Sequence, residues 1–234
     1  MNSQITYVDP VNKTKEGQGA IVLHLLIDAS DSMKDMMPTV VRTFNGIVIP
    51  ALQGAADRYV KAFRIGCVAF SDEVVPIING FRTMEKASRQ LNASAFDRSE
   101  LYQNTKLYGA MISGFHAACR ARKELQTRDR ITNTRIKLVI LTDGANNLEP
   151  KGTDGEAKVR ALYGIQDAEL VQTTLMYFHT DWGVNKPEFN RIANATGCSS
   201  RLYIDGLGKS LAEKQATFRH ELDIWSRNTV GNLK

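Results

Sequence analysis

The clearest pattern in the sequence is a run of apolar residues that ends in an acid. Residues 20–27 are apolar apart from His24, and Asp28 follows them directly. A run of this length is typical of a strand that is covered on both faces of a sheet. We therefore predict a first strand at residues 20–28.

Five further stretches have the length and composition of strands. They lie at residues 63–71, 74–78, 136–142, 170–179 and 201–204. Because only Asp72 and Glu73 separate the second strand from the third, these two strands must be antiparallel. Pro76 lacks a backbone N–H, so the third strand is predicted at an edge of the sheet.

Apolar residues with helical spacing alternate with these strands. One helix begins near Lys106, and the others cover residues 37–55, 82–91, 156–165, 187–195 and 210–227. Pro38 suits the first turn of its helix, whereas Pro50 should kink or break it. The alternation of strands and helices predicts a three-layer α/β/α fold.

The composition is that of a single globular domain. The 234 residues suffice for a substantial core, and 43% hydrophobic and 24% charged residues are ordinary values. No run approaches the ~18 apolar residues of a membrane span, and the polar N-terminus lacks a signal-peptide core. We expect an arm at residues 1–19 and one domain at residues 20–234.

The cysteine content and the charge set limits on location and partners. Three cysteines at wide spacing indicate neither a disulfide framework nor a zinc cluster, which favours a reducing, cytoplasmic compartment. A formal net charge of +5 permits contact with nucleic acid but does not demand it.

Oxygen-bearing side chains follow two of the predicted strands and precede one helix. Asp28, Ser30 and Ser32 follow the first strand, Thr105 precedes the helix near Lys106, and Asp143 follows the fourth strand. Ligand sites of open α/β sheets lie at the carboxyl ends of the strands. Hydroxyls and carboxylates are hard ligands that suit Mg²⁺, Ca²⁺ or Mn²⁺, and the absence of histidine and cysteine here argues against zinc.

These segments resemble the metal-ion-dependent adhesion site of von Willebrand factor A domains. The matching motifs are Asp-x-Ser-x-Ser at residues 28–32, the threonine of residues 104–110, and Thr-Asp-Gly at residues 142–144. Residues 68–72 resemble that family's second strand and its turn into the antiparallel edge strand. The resemblance covers roughly residues 20–226 and implies a Rossmann-like, mostly parallel sheet with one antiparallel edge strand.

The resemblance also implies a role for each matching residue. Ser30, Ser32 and Thr105 would coordinate the divalent cation. Asp28 and Asp143 would act largely through coordinated water and the serine hydroxyls. An ion held in this way keeps much of its charge and accepts an acidic side chain of a protein partner, which is recognition without catalytic residues.

Two departures from the family pattern lie beside these residues. Asp31 stands where many relatives have glycine, and Gln103 and Asn104 replace glycines that often precede the threonine. Free-standing bacterial relatives work beside AAA+ ATPases or in stress-response and defence systems. The resemblance therefore implies a partner of that kind.

Two other functions stay open at this point. A Mg²⁺-dependent phosphoesterase would use Asp28 and Asp143, but the sequence offers no convincing general base, and the Gly-x-Ser-x-Gly motif of serine hydrolases is absent. A nucleic-acid-binding adaptor would use the basic stretch between Arg120 and Lys137, which lacks interleaved aromatic residues.

A glycine-rich segment and two histidines suggest other functional sites, but each has a simpler structural interpretation. Residues 206–210, Gly-Leu-Gly-Lys-Ser, resemble the end of a phosphate-binding loop, but Tyr203 stands where the first glycine belongs. We expect a strand-to-helix turn that is capped by Ser210. His24 and His116 lie inside a strand and a helix, which favours packing roles for both.

Overall fold

The computed structural model describes residues 7–9, 19–98, 101, 104–144, 154–164, 171–179 and 186–231. The predicted arm is described only at residues 7–9 and 19. Gln103 and most of the polar loop after Asp143 lie outside the described residues.

A six-stranded sheet with the order β3-β2-β1-β4-β5-β6 forms the centre of the molecule. Its strands are β1 (Ala20–Asp28), β2 (Ala62–Phe70), β3 (Val74–Arg82), β4 (Thr134–Thr142), β5 (Val171–His179) and β6 (Ser200–Asp205). All neighbouring pairs are parallel except β2 and β3, which are antiparallel. The predicted mostly parallel sheet with an antiparallel edge strand is confirmed.

Helices cover both faces of this sheet. They are α1 (Met37–Thr43), α2 (Ile49–Tyr59), α3 (Met84–Gln90), α4 (Leu107–Arg128), α5 (Asp154–Gly164), α6 (Lys186–Thr196) and α7 (Leu211–Gly231). Helices α4, α5 and α6 pack on one face, and α1, α2, α3 and α7 pack on the other. Among the described residues, no helix combines the length and apolar character needed to cross a bilayer.

The central strand β1 shows why its sequence lacks polar alternation. Leu23 and Leu25 face the layer that contains α1 and α7, whereas Val22 and Leu26 face α4. Every residue of β1 is buried. A strand between two helical layers needs apolar side chains on both faces, because each face is removed from water.

The segment around Pro50 is not broken, although a kink or a break was expected there. Helix α1 continues into α2 through one π-helical turn, Phe44–Val48, in which the Ile49 N–H reaches the carbonyl of Phe44. Proline cannot donate to the preceding turn, and such wider turns are a usual way to absorb a local helix irregularity. The proline therefore changes the hydrogen bonding without ending the helix.

Strand β3 runs four residues beyond its predicted end at Ile78, and part of the N-terminal segment pairs with it. Val8 forms a parallel bridge with Phe81, and the Phe81 N–H donates to the Tyr7 carbonyl at 2.7 Å. Asp9 is buried beside this bridge. Residues 7–9 are therefore anchored to the sheet, although sequence reasoning placed them in a loose arm.

His24 and His116 differ in their surroundings. His24 is buried, its Nδ1 lies 2.9 Å from the Gly114 carbonyl of α4, and its ring meets Phe81 edge-on. Because a carbonyl only accepts, the Nδ1 atom carries the proton. His24 thus has the predicted packing role, whereas His116 is exposed on the outer face of α4 and the prediction for it is wrong.

Candidate metal centre

The three predicted segments meet at the carboxyl end of the sheet. Strands β1 and β4 are parallel neighbours, and Ile27 pairs with Leu141. The residues that follow these strands therefore leave the sheet side by side. The loop before α4 is held at the same edge, because the Lys106 N–H donates to the Ser71 carbonyl at 3.0 Å.

The segment after β1 folds around the Asp28 carboxylate. The Ser30 N–H donates to Asp28 Oδ1 at 2.8 Å, and a short 3₁₀ helix, Asp31–Met36, begins directly afterwards. The Ser30 and Ser32 hydroxyl oxygens lie 3.2 Å apart, and the Ser32 hydroxyl donates to Asp143 Oδ1 at 3.0 Å. Hydrogen bonds thus join the first segment to the third.

Thr142 is a part of the site that sequence reasoning missed. Its hydroxyl donates to the second oxygen of Asp28 at 2.6 Å and accepts the Gly144 N–H at 3.1 Å. Its position as the last residue of a buried strand beside Asp143 was the available signal. This threonine fixes the orientation of the Asp28 carboxylate across the β1–β4 pair.

Gly144 shows how closely the second segment approaches the others. A methyl group at Gly144 would lie 3.1 Å from Thr105 Oγ1 and 3.7 Å from Asp28 Oδ2. The Thr105 hydroxyl is therefore next to both strand ends. All five predicted residues converge on one place, and glycine at residue 144 leaves the room for this approach.

The cluster contains two carboxylates that are fully buried. Asp28 and Asp143 are 0% exposed, whereas Ser32 is exposed and opens the cluster to solvent. Burial raises the pKa of Asp28 to about 6, although hydrogen bonds from Thr142 and Ser30 act in the opposite direction. Among the residues that the structure describes, no cationic side chain contributes to the pKa of Asp28.

These residues fit a divalent cation of the hard type. A buried carboxylate without a cationic partner is costly, and a bound cation would offset that cost. Hydroxyl and carboxylate oxygens are the ligands that Mg²⁺, Ca²⁺ and Mn²⁺ prefer. Within the described ranges, no group of three or more His, Cys, Asp or Glu side chains could hold a metal, so the hydroxyls are essential to any site here.

The two departures from the family pattern are only partly described. Asp31 is exposed in the first turn of the 3₁₀ helix, and Asn104 is exposed beside Thr105. Asp31 therefore lies at the solvent side of the cluster and adds a negative charge near its opening.

The alternative phosphate loop is a capped turn. The Ser210 hydroxyl donates to Glu213 Oε2 at 2.6 Å, and the Glu213 N–H returns a hydrogen bond to Ser210. Lys209 Nζ donates to the Asp205 carbonyl at 2.7 Å and to Thr217 at 3.1 Å. This reciprocal capping box confirms the predicted role of Ser210.

The basic stretch from Arg120 to Lys137 is not one continuous surface. Arg128 pairs with Asp129 and donates to the Val8 carbonyl, and Lys137 is buried in β4. Two of its cations are thus committed to the protein itself or removed from the surface.

Comparisons with known proteins bear on the fold. No protein-family model matches the chain, and no curated protein matches it in sequence. A von Willebrand factor type A protein from Catenulispora acidiphila matches with a TM-score of 0.53 at 18% identity, over 89% of this chain and 43% of that protein. The von Willebrand factor domain of Mfa5, the type V pili tip protein of Porphyromonas gingivalis, gives 0.59 at 10% identity, over 94% and 98%.

BatB from Bacteroides thetaiotaomicron gives a similar result, with a TM-score of 0.52 at 13% identity over 88% of this chain and 99% of its own. At such identities the likeness concerns the fold. The chain therefore has the von Willebrand factor A fold, and the predicted fold class is confirmed.

Proposed function

We propose that the protein is a recognition module that binds an acidic side chain of a protein partner through a divalent cation. The observation that carries this proposal is the buried Asp28 carboxylate, which lies among hydroxyls and has no cationic partner among the described side chains. Thr105 and Asp143 complete an oxygen-lined cluster that opens to solvent at Ser32. The von Willebrand factor A fold is typical of protein-interaction modules and supports the same function.

The hydrogen bonds support different roles for the hydroxyls and the carboxylates of the cluster. Ser30, Ser32 and Thr105 would hold the ion, because their hydroxyl oxygens converge and keep free lone pairs. Asp28 accepts from Ser30 and Thr142, and Asp143 accepts from Ser32, so both carboxylates orient the groups around them. A bound Mg²⁺, or Ca²⁺ or Mn²⁺, would supply an open coordination position for a carboxylate.

The chemistry of the cluster favours recognition over hydrolysis. Hydrolysis needs a general base within hydrogen-bond reach of an attacking water. Asp28 is 0% exposed and both of its oxygens accept hydrogen bonds from the chain itself, which leaves it out of reach of an attacking water in the open part of the cluster. Phosphoesterase turnover that is lost in Asp28→Ala would contradict the proposal.

A capture experiment tests the function. Tagged protein is incubated with an extract of its own organism in about 5 mM MgCl₂ or in EDTA, so that the divalent cation is either supplied or removed. We expect a partner that is retained only with Mg²⁺ and is lost in Ser30→Ala/Ser32→Ala, while Ser88→Ala/Ser94→Ala, outside the cluster, retains it. Retention that is insensitive to both EDTA and the first variant would contradict metal-mediated recognition.

A further inference from the structure

A cavity lies at the opposite end of the sheet from the metal centre. It has a volume of about 450 Å³ and lies between the C-terminal half of α7 and the first halves of β4, β5 and β6. Lys137 of β4 lines it, six residues before Asp143. At the rise of a strand this separation is roughly 20 Å, so the cavity is distinct from the metal centre.

The sheet face inside this cavity is unexpectedly polar. Lys137 and Thr174 lie on the same face as Val139 and Met176, which belong to the apolar core below α7. The Thr174 and Ser200 hydroxyl oxygens are 2.7 Å apart on neighbouring strands. An ordinary core would place apolar residues at such positions, because buried polar groups are costly without partners.

Lys137 is a buried cation of the lining that no described acid pairs with, although Glu221 of α7 lines the same cavity. It is 8% exposed, and burial together with the nearby charge of Arg135 lowers its pKa to about 8. Of the described side chains, no acid raises that pKa. The other cation of the lining, Arg201, is committed elsewhere, since its guanidinium donates to Asn190 and Asn194 on α6.

The other residues that line the cavity restrict the shape and charge of a ligand. Ile224 and Trp225 of α7 and Leu202 of β6 form an apolar side, and Ile224 is 42% exposed at the opening. Asn228 belongs to the last turns of α7, where the helix dipole is negative. That end of a helix and the Glu221 carboxylate both disfavour anions, a doubly charged phosphate more than a monoanion whose charge lies at Lys137.

We propose that this cavity binds a small organic monocarboxylate, with its carboxylate on Lys137 Nζ and its apolar body against Trp225. The volume lies within the ~300–1,000 Å³ of small-molecule sites. The hydroxyls of Thr174 and Ser200 supply hydrogen bonds beside the ammonium group. This site does not depend on the cation or on the partner of the metal centre.

The test uses phenylacetate and octanoate as probes, with phenylacetamide as the neutral match and phenyl phosphate as the dianion. Saturation-transfer NMR and calorimetry on the full chain measure binding to wild type, Lys137→Met and Lys123→Met, the last of which removes an exposed charge on α4. We expect saturable binding of the carboxylates, weakened at least about tenfold (~1.4 kcal/mol) in Lys137→Met and unchanged in Lys123→Met. Phenylacetamide and phenyl phosphate should bind more weakly than phenylacetate.

A second measurement avoids mutation of the site. Acetic anhydride at low molar ratio should modify Lys137 in the wild-type protein, and saturating phenylacetate should protect it, as followed by peptide mass spectrometry. The proposal is overturned if no carboxylate binds, if amide and acid bind equally, or if binding survives Lys137→Met. Tighter binding of phenyl phosphate than phenylacetate would replace the monocarboxylate with a phosphate ligand.

Discussion

Two buried aspartates show how differently this fold treats a negative charge. Asp9, 1% exposed, accepts the Thr83 N–H at 2.8 Å and lies 3.1 Å from Lys86 Nζ and 3.5 Å from Arg82. Asp28, 0% exposed, has a hydroxyl and a backbone N–H as partners, and no cation in the described part of the chain pairs with it.

The pKa values of the two acids are shifted in opposite directions, as their different partners lead one to expect. Burial raises the pKa of Asp9, but the Thr83 N–H, Lys86 and Arg82 outweigh it and hold that pKa below its usual value. Burial dominates at Asp28 and raises its pKa to about 6. One acid is neutralised by its own chain, whereas the other is prepared for a charge from outside. The first therefore serves stability, whereas the proposed function assigns the second to binding.

The largest expected effect is at the self-neutralised acid. Asp9→Ala should lower the free energy of unfolding by about 3 kcal/mol, because it leaves the Thr83 N–H without its acceptor and removes the partner of Lys86 and Arg82. Urea unfolding measures the change, and exposed Asp97→Ala serves as the control with less than about 0.5 kcal/mol. A loss below about 1 kcal/mol would show that residues 7–9 are not anchored through this carboxylate.

The buried His24 shows the effect of burial on a basic side chain, which is opposite in sign to its effect on an aspartate. The folded-state pKa of His24 is about 4, below the usual 6.5, because burial disfavours the charged ring. Between these pH values the unfolded chain binds a proton that the folded chain does not, so stability falls as pH drops from about 6.5 towards 4.

Lowering the pH from about 7.5 to 5 should therefore cost the wild type about 2 kcal/mol through His24. Urea unfolding at the two pH values in EDTA isolates this cost when the wild type is compared with His24→Gln, because the raised pKa of Asp28 acts in the opposite direction in both proteins. His24→Gln should remove it, while His116→Gln, at an exposed position, should not. An unchanged pH dependence in His24→Gln would contradict a neutral, buried imidazole.

The response to a cation distinguishes the two aspartates directly. Magnesium at about tenfold above its Kd should raise the free energy of unfolding of wild type by about 1.4 kcal/mol, since the ion binds the folded state alone. Asp28→Asn should lose this gain, and Asp9→Asn should keep it on a less stable background. Thermal unfolding over a Mg²⁺ series is the measurement, and an equal gain in both variants would place the ion elsewhere.

The smallest effect is expected at the solvent side of the cluster. Ser32→Ala removes two partly buried hydrogen bonds and should cost about 1 kcal/mol in EDTA, and Ser88→Ala, which removes one exposed hydrogen bond, should cost less. Only Ser32→Ala should also reduce the stabilisation by Mg²⁺. Equal responses to Mg²⁺ in the two variants would remove Ser32 from the proposed ligand set.

Local pattern predicted those parts of the fold whose burial is uniform. Strand β1 begins and ends where its apolar run does, because both of its faces are covered. Strand β3 was predicted too short, since Asn79 and Gly80 have the composition of a turn. Gly80 instead has φ +79° and leaves space for the Tyr7 carbonyl, which lies 2.3 Å from where a Cβ would be. That contact joins residues far apart in sequence and has no local signal.

The candidate site was predictable to the level of its five residues, whose convergence the hydrogen bonds and Gly144 make evident. The contribution of Thr142 was not, because it depends on the alignment of β1 with β4. The identity of the five as ligands, and the boundary between arm and domain at residue 19, stay predictions. The bacterial partner implied by the resemblance also stays a prediction.

The most direct test of the metal centre is the anomalous diffraction of crystals soaked in Mn²⁺. The account predicts one strong anomalous peak in bonding contact with the hydroxyl oxygens of Ser30, Ser32 and Thr105, and no such peak in Ser30→Ala/Ser32→Ala crystals. A wild-type map with no peak at this cluster, or with manganese bound only elsewhere, would contradict it.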